Sequence, residues 1–255
     1  MVSNAEDLAV ALSAFAASVA VAMGLCFYGI APAKVVDNAQ DQKPNRKQTK
    51  GPVGLKAYLQ LIGNTPLCQL HELSRILGRK VFVKMESMNP GGTGKDRAAK
   101  YMIQEALKMH SNTSKNNEQE QKPQLFEGTS GSTGISLACL CNASGLKLHV
   151  VMPDDQAEEK RTLLERLGVT VTVVPPCGIS NKDHYVNTAR RMAKEAGGVF
   201  LDQFENLANF RAHLEETGPE LWEQSDGNVD AFVMSAGTGG TIAGVSRCSA
   251  VTHDS

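Results

Sequence analysis

After residue 51 the apolar positions switch repeatedly between a period of two and a period near 3.6, which predicts strands alternating with helices in an α/β domain. Residues 80–86 (KVFVKME) alternate as a strand does, and residues 96–109 repeat as a helix. Residues 124–129, 147–153, 170–176, 199–204 and 230–236 are strand-like, each followed by a helical or turn segment. The helix expected around 158–167 stops at Gly168, a residue free to adopt the left-handed conformation that ends helices. Such an order implies a mostly parallel sheet covered on both faces, with ligands at the carboxyl ends of its strands. Residues 111–123 (SNTSKNNEQEQKP) interrupt the pattern as a polar surface loop.

The N-terminal pattern is different in kind. From Leu8 to Ala33 there are 26 consecutive uncharged residues, and roughly 20 apolar residues cross a bilayer core as a helix. Glu6 and Asp7 precede this run, and Lys34, Lys43, Arg46, Lys47 and Lys50 follow it, a bias that keeps the C-terminal side in the cytosol. Residues 1–33 therefore read as a transmembrane anchor. A removed targeting segment is the alternative, because Ala31, Pro32 and Ala33 resemble a small-residue cleavage site. Residues 34–51, rich in Lys, Gln, Asn and Pro, form a solvated linker.

Composition narrows the partners. The net charge of −1 provides no field for gathering phosphate backbones, which sets nucleic acid aside. Cys26, Cys68, Cys139, Cys141, Cys177 and Cys248 do not fall into paired C-x-x-C spacings, and His110, His149, His184 and His213 have no ligand spacing either, so no metal is expected.

Three glycine-bearing turns join strands to helices. In Asn89-Pro90-Gly91-Gly92-Thr93-Gly94-Lys95-Asp96-Arg97 the positions that a nucleotide-binding loop reserves for its first glycine and its magnesium-binding hydroxyl are Asn89 and Asp96. What remains is Lys95 at the mouth of a helix, where the dipole disfavours the ammonium and favours a nucleophilic amine, or else a solvated lysine beside a helix cap. The turn Gly128-Thr129-Ser130-Gly131-Ser132-Thr133-Gly134 gathers hydroxyls and free amides fit for a carboxylate, or simply caps its helix. The turn Gly237-Thr238-Gly239-Gly240-Thr241 offers amides to a phosphate, and Ile242 at the third glycine position separates it from the dinucleotide fingerprint.

This set, in this order, resembles the fold-type II pyridoxal phosphate enzymes, and most closely their cysteine synthase (O-acetylserine sulfhydrylase) and cystathionine β-synthase branch. The resemblance runs from Gly63 to about Arg247 and includes Gly63-Asn64-Thr65-Pro66-Leu67, Asp202-Gln203-Phe204-Glu205-Asn206 and Thr217-Gly218-Pro219-Glu220. It implies a two-lobed, three-layer α/β/α fold like the tryptophan synthase β chain, over residues 52–247, with a small lobe at about 89–198. It also implies pyridoxal 5′-phosphate on Lys95, its phosphate held by Gly237, Thr238, Gly239, Gly240 and Thr241, and the substrate α-carboxylate bound by Thr129, Ser130, Thr133 and Gln203. The expected reaction makes L-cysteine from O-acetyl-L-serine and sulfide, with Lys95 also serving as α-proton base. A homodimer is implied, and with the anchor the likeness extends to a fungal-type cysteine synthase of mitochondria, at the outer membrane.

Two positions depart from the family. Ser132 stands where an asparagine usually bonds the cofactor ring hydroxyl. Family members also continue past the phosphate turn to a Ser or Thr that contacts the pyridine nitrogen, whereas residues 248–255 show no helix or strand pattern, so an incomplete large lobe is expected. A cystathionine β-synthase-like or serine/threonine dehydratase-like enzyme on the same scaffold, and an inactive fragment, are the competing expectations.

Overall fold

The computed structural model describes residues 54–113 and 122–253; the expected anchor and linker lie outside them. Among the described residues, no helix is long and apolar enough to cross a membrane. These residues fall into two compact units, one of residues 69–82 and the other of residues 54–68 and 83–253. In the smaller unit, helix α2 (His71–Leu77) ends at Gly78 with φ 61°, the left-handed cap that a glycine adopts without steric cost. Strands β1 (Leu67–Gln69) and β2 (Phe82–Lys84) form a two-stranded sheet.

The larger unit holds a four-stranded parallel sheet in the order β5-β4-β3-β6, formed by β3 (Gln124–Gly128), β4 (Lys147–Pro153), β5 (Thr170–Val174) and β6 (Val199–Phe200). Gly128, the last residue of β3, pairs with Val151, so β4 runs two residues further and ends level with β5, where Pro153 pairs with Val174. The central strands are buried almost throughout, as continuous apolar runs in a covered parallel sheet should be, while the edge strand β5 is only partly buried.

Helices α3 (Lys95–Thr113), α4 (Ser132–Ser144), α5 (Glu158–Arg166) and α6 (Tyr185–Glu195) accompany this sheet, and α1 (Leu55–Leu59) packs its apolar side chains on the same core. Helix α3 buries Ala98, Ala99, Met102, Ile103 and Ala106, the spacing of one helical face. Helix α6 crosses so close to β3 that a Cβ on Gly128 would stand 2.6 Å from the Val186 Cα, which only glycine permits. The chain then runs through α7 (Leu207–Ala212), a π turn (His213–Thr217), α8 (Gly218–Gln224) and α9 (Gly240–His253).

Four expectations need correction. Residues 230–236 are not a strand: among the described residues no neighbour pairs with them, and Val233 is 91% exposed. The strand expected at 199–204 stops at Phe200, because Asp202 turns the chain with φ 55°. Helix α3 runs on to Thr113, into the expected surface loop. Helix α9 continues to His253, where no helix was expected past 247; its alanine, valine and small polar residues carry no amphipathic stripe, so periodicity missed it.

One ion cluster ties together three motifs that the sequence presents separately. Arg97, fully buried on α3, donates from Nε to Glu86 Oε2 at 2.8 Å and from Nη1 to Glu220 Oε1 at 2.6 Å. Lys84 joins Glu220 at 2.7 Å, the Asn64 amide donates to the same carboxylate at 2.8 Å, and the Thr65 hydroxyl donates to Glu86 at 2.6 Å. The paired charges and short hydrogen bonds offset the desolvation of the guanidinium.

Candidate active site

Lys95 is the first residue of α3, half-buried, and its backbone N–H donates to Thr93 Oγ1 at 3.3 Å. The next residue, Asp96, is buried; it accepts the Ser136 hydroxyl and the Gly91 N–H and so fixes the turn that precedes the lysine. Burial lowers the Lys95 ammonium below its usual pKa, in the direction expected for a lysine that must present a free amine.

From Lys95 a continuous path of hydrogen bonds reaches the other two turns. Its Nζ lies 3.3 Å from Thr238 Oγ1, and that oxygen also accepts Asn209 Nδ2 at 2.7 Å. With both lone pairs of Thr238 Oγ1 occupied by donors, its own proton is left to donate, as an anion beside it would require. Asn209 Nδ2 donates also to the Gln203 carbonyl at 3.0 Å. The Gln203 side chain is pinned at both ends: Nε2 donates to the Gly128 carbonyl at 3.1 Å, and Oε1 accepts the Thr133 hydroxyl at 2.7 Å. The Gln203 side chain also faces the Glu127 carboxyl, and the single Thr133 proton is already used on Gln203.

The remaining residues of the turns are placed as follows. Thr129 is buried and its Oγ1 accepts the Gly131 N–H at 3.2 Å, which leaves its hydroxyl proton to donate. Ser130 receives Lys160 Nζ on its carbonyl at 3.3 Å, and it borders a cavity of about 210 Å³ formed with Pro153, Asp155, Gln156, Pro176, Cys177 and Tyr185. That cavity opens at the carboxyl ends of β3, β4 and β5, where parallel sheets bind ligands. Ser132 starts α4 and is exposed. Gly239 has φ 80°, and a Cβ on Gly237 or Gly239 would meet nothing within 4 Å, so open space adjoins the turn. A Cβ on Gly240, by contrast, would collide with the Asn209 amide. Thr241 Oγ1 lies 3.1 Å from His213 Nε2, whose ring holds Thr217 Oγ1 through Nδ1 at 2.9 Å.

Residues 58–250 match the family described as pyridoxal-phosphate dependent enzyme. The chain belongs to this family. Among curated relatives it is 47% identical to cysteine synthase 2 of Neurospora crassa over 195 residues, which is 73% of this chain and 42% of that protein. It is 41% identical to cysteine synthase B of Escherichia coli, over 74% of this chain and 59% of that protein. A Saccharomyces cerevisiae relative, 44% identical over 74% of this chain and 48% of its own length, is provisionally named a mitochondrial cysteine synthase. The chain thus spans about half the length of the curated relatives it matches. Among solved structures, an O-ureido-L-serine synthase superposes with TM-score 0.68 at 31% identity, covering 77% of this chain and 60% of that one. A hydrogen sulfide-producing enzyme of Fusobacterium nucleatum gives 0.67 at 32% identity, covering 76% and 62%.

The cofactor of a pyridoxal-phosphate dependent enzyme is pyridoxal 5′-phosphate, and the residues present fit it. A lysine whose ammonium form burial disfavours stands at one end of the hydrogen-bond path, and an amide-bearing glycine turn with open space and a free hydroxyl proton stands at Thr238. Sequence reasoning missed three buried side chains of this candidate site: Asn209, His213 and Glu127. Asn209 belongs to no motif. His213 has no metal-ligand spacing, yet burial first, then the Lys95 and Arg97 charges, pushes its imidazole down to about 4 and keeps it a neutral hydrogen-bonding ring.

Proposed function

We propose that this chain carries out a pyridoxal phosphate-dependent β-replacement that makes L-cysteine from O-acetyl-L-serine and sulfide. The observation that carries this reading is the path from Lys95 through Thr238 and Asn209 to Gln203 and Thr133, which joins an amine, an anion-binding turn and a carboxylate cradle in one network. The cysteine synthase names of several relatives, at 41% to 47% identity, support the choice of substrates.

In this reading Lys95 binds the cofactor, and the amides of Gly237, Thr238, Gly239, Gly240 and Thr241 hold its phosphate with the Thr238 hydroxyl as a further donor. Bound there, pyridoxal phosphate supplies an electron sink for the bonds at the substrate Cα. Thr129, Ser130 and Gln203 hold the substrate carboxylate, together with the first-turn amides of α4. Thr133 orients Gln203 through its hydroxyl and adds its backbone N–H. Held by its carboxylate, the substrate turns its Cα hydrogen toward Lys95, which takes the proton as a neutral amine. Acetate leaves Cβ, sulfide bonds to the same carbon, and Lys95 returns the proton to Cα. Ser132 replaces a longer asparagine, and its hydroxyl supplies one shorter-reaching hydrogen bond to the cofactor.

The reading is tested by offering the purified full chain O-acetyl-L-serine with sulfide, and L-serine with homocysteine, and identifying the products. Cysteine from the first pair is expected. Cystathionine from the second pair alone, or pyruvate from either, would replace this reading with one of its competitors on the same scaffold.

For location, we propose that residues 8–33 anchor the enzyme to a mitochondrial outer membrane with the catalytic region in the cytosol, and that it works as a homodimer. Removing residues 1–33 should then move it to the soluble fraction; continued sedimentation with membranes would refute the anchor.

A further inference from the structure

The largest electrostatic puzzle of the site lies beneath the carboxylate cradle. Glu127 is the penultimate residue of β3, two positions before Thr129, and its side chain is fully buried. Its Oε2 accepts the backbone N–H of Gln203 at 3.4 Å, and its Oε1 has no hydrogen-bond partner. No lysine, arginine or histidine pairs with it among the described residues. The ionisable groups facing it are Asp202, from the turn after β6, whose charge disfavours a second negative charge, and Tyr185, from the start of α6, a phenol whose own ionisation burial and Glu127 disfavour. An ionised carboxylate here would be a buried charge with no cation to pair it, which burial strongly disfavours. It would also repel a second carboxylate held by Thr129 and Gln203, in surroundings where charges are poorly screened.

We propose that Glu127 is a positioning residue held as an uncharged acid, and that its neutrality is what allows the cradle of Thr129, Ser130 and Gln203 to accept the carboxylate of the amino-acid substrate. The inference rests on the proposed role of that cradle. Glu127 touches no substrate: it acts through Gln203, whose main chain it receives and whose side chain reaches the ligand. Burial, the dominant cause, with the nearby Asp202 charge, outweighs the hydrogen bonds from the Gln203 and Gly128 amides and the Gln203 side chain and pushes the Glu127 carboxyl up to about 8, which leaves it protonated at neutral pH and ionising just above. Substrate binding and Glu127 ionisation are then mutually exclusive, so binding above that pH must take up a proton.

The experiment compares the cofactor-loaded full chain with Glu127→Gln, whose amide copies the shape of the neutral acid but cannot ionise. The probe is L-alanine, which carries the α-carboxylate but no leaving group. Its Kd is measured between pH 7 and pH 9 by calorimetry, in two buffers of different protonation enthalpy. The ratio of wild-type to Glu127→Gln Kd should rise about tenfold across this range, because each unit above the pKa removes tenfold of the competent form. The wild type should take up a proton at pH 9 that the variant does not. The substrate amine titrates equally in both proteins and cancels in the ratio. A constant ratio with equal proton uptake would overturn the proposal. Should Glu127→Gln fail to fold, Glu127→Met keeps the volume without the charge and must show the same loss of pH dependence; a variant that retains the alkaline decline overturns the proposal as well. Loss of L-alanine binding by wild type at every pH would instead show that the cradle reading itself is wrong.

Discussion

A single hydroxyl illustrates how the site works at the scale of residues. Thr238 Oγ1 receives Lys95 and Asn209, and only because both are donors does its proton point outward. Asn209 is therefore placed to orient the glycine turn at Thr238. Asn209→Ala leaves the Thr238 and Gln203 oxygens with one donor fewer, which should cost about 1–3 kcal/mol in urea unfolding and raise the cofactor Kd. An unchanged cofactor Kd would show that Thr238 is oriented by something else. Lys95 and the glycine turns were legible in the sequence because a helix mouth, a hydroxyl cluster and a run of glycines are local patterns. Asn209, His213 and Glu127 were not, because the partners of each lie on other elements: Thr238, Thr241 and Gln203 are 29, 28 and 76 residues away.

At the scale of elements, the buried Arg97 cluster holds α3, which carries Lys95, to α8. Burial alone would raise the Glu220 carboxyl, but the hydrogen bonds from Arg97 and Lys84 win and hold it down to about 2. A carboxylate depressed in the folded state stabilises above its ordinary pKa, near 4.3, and that stability is lost as pH falls toward 2. Glu220→Gln should lower stability by about 3 kcal/mol at pH 6, since it leaves Arg97 short of one partner, and the gap to wild type should shrink at pH 3. A gap of equal size at both pH values would remove Glu220 from the acid response. Helices α3 and α5 and the β3, β4 and β5 strands were legible from periodicity, because each is an amphipathic helix or a strand of a parallel sheet. Residues 230–236 misled because an extended apolar segment becomes a strand only when another strand supplies its hydrogen bonds.

At the scale of the whole molecule, the three turns meet because the Gln203 side chain is tied to the Gly128 carbonyl and to Thr133, α6 seals one face at Gly128, and α7 brings Asn209 between Gln203 and Thr238. The fold class was readable from the alternation of strands and helices, but the convergence of Lys95 with Gln203 came from topology that no periodicity encodes. The central claim is that Lys95 is the residue that holds the cofactor. It is tested most directly by loading the full chain with pyridoxal phosphate, reducing the adduct with borohydride and locating the modified lysine by peptide mass spectrometry. The label should sit on Lys95 and disappear, with the visible absorbance of the bound cofactor, in Lys95→Ala. A label on another lysine, or one that persists in Lys95→Ala, would contradict the account.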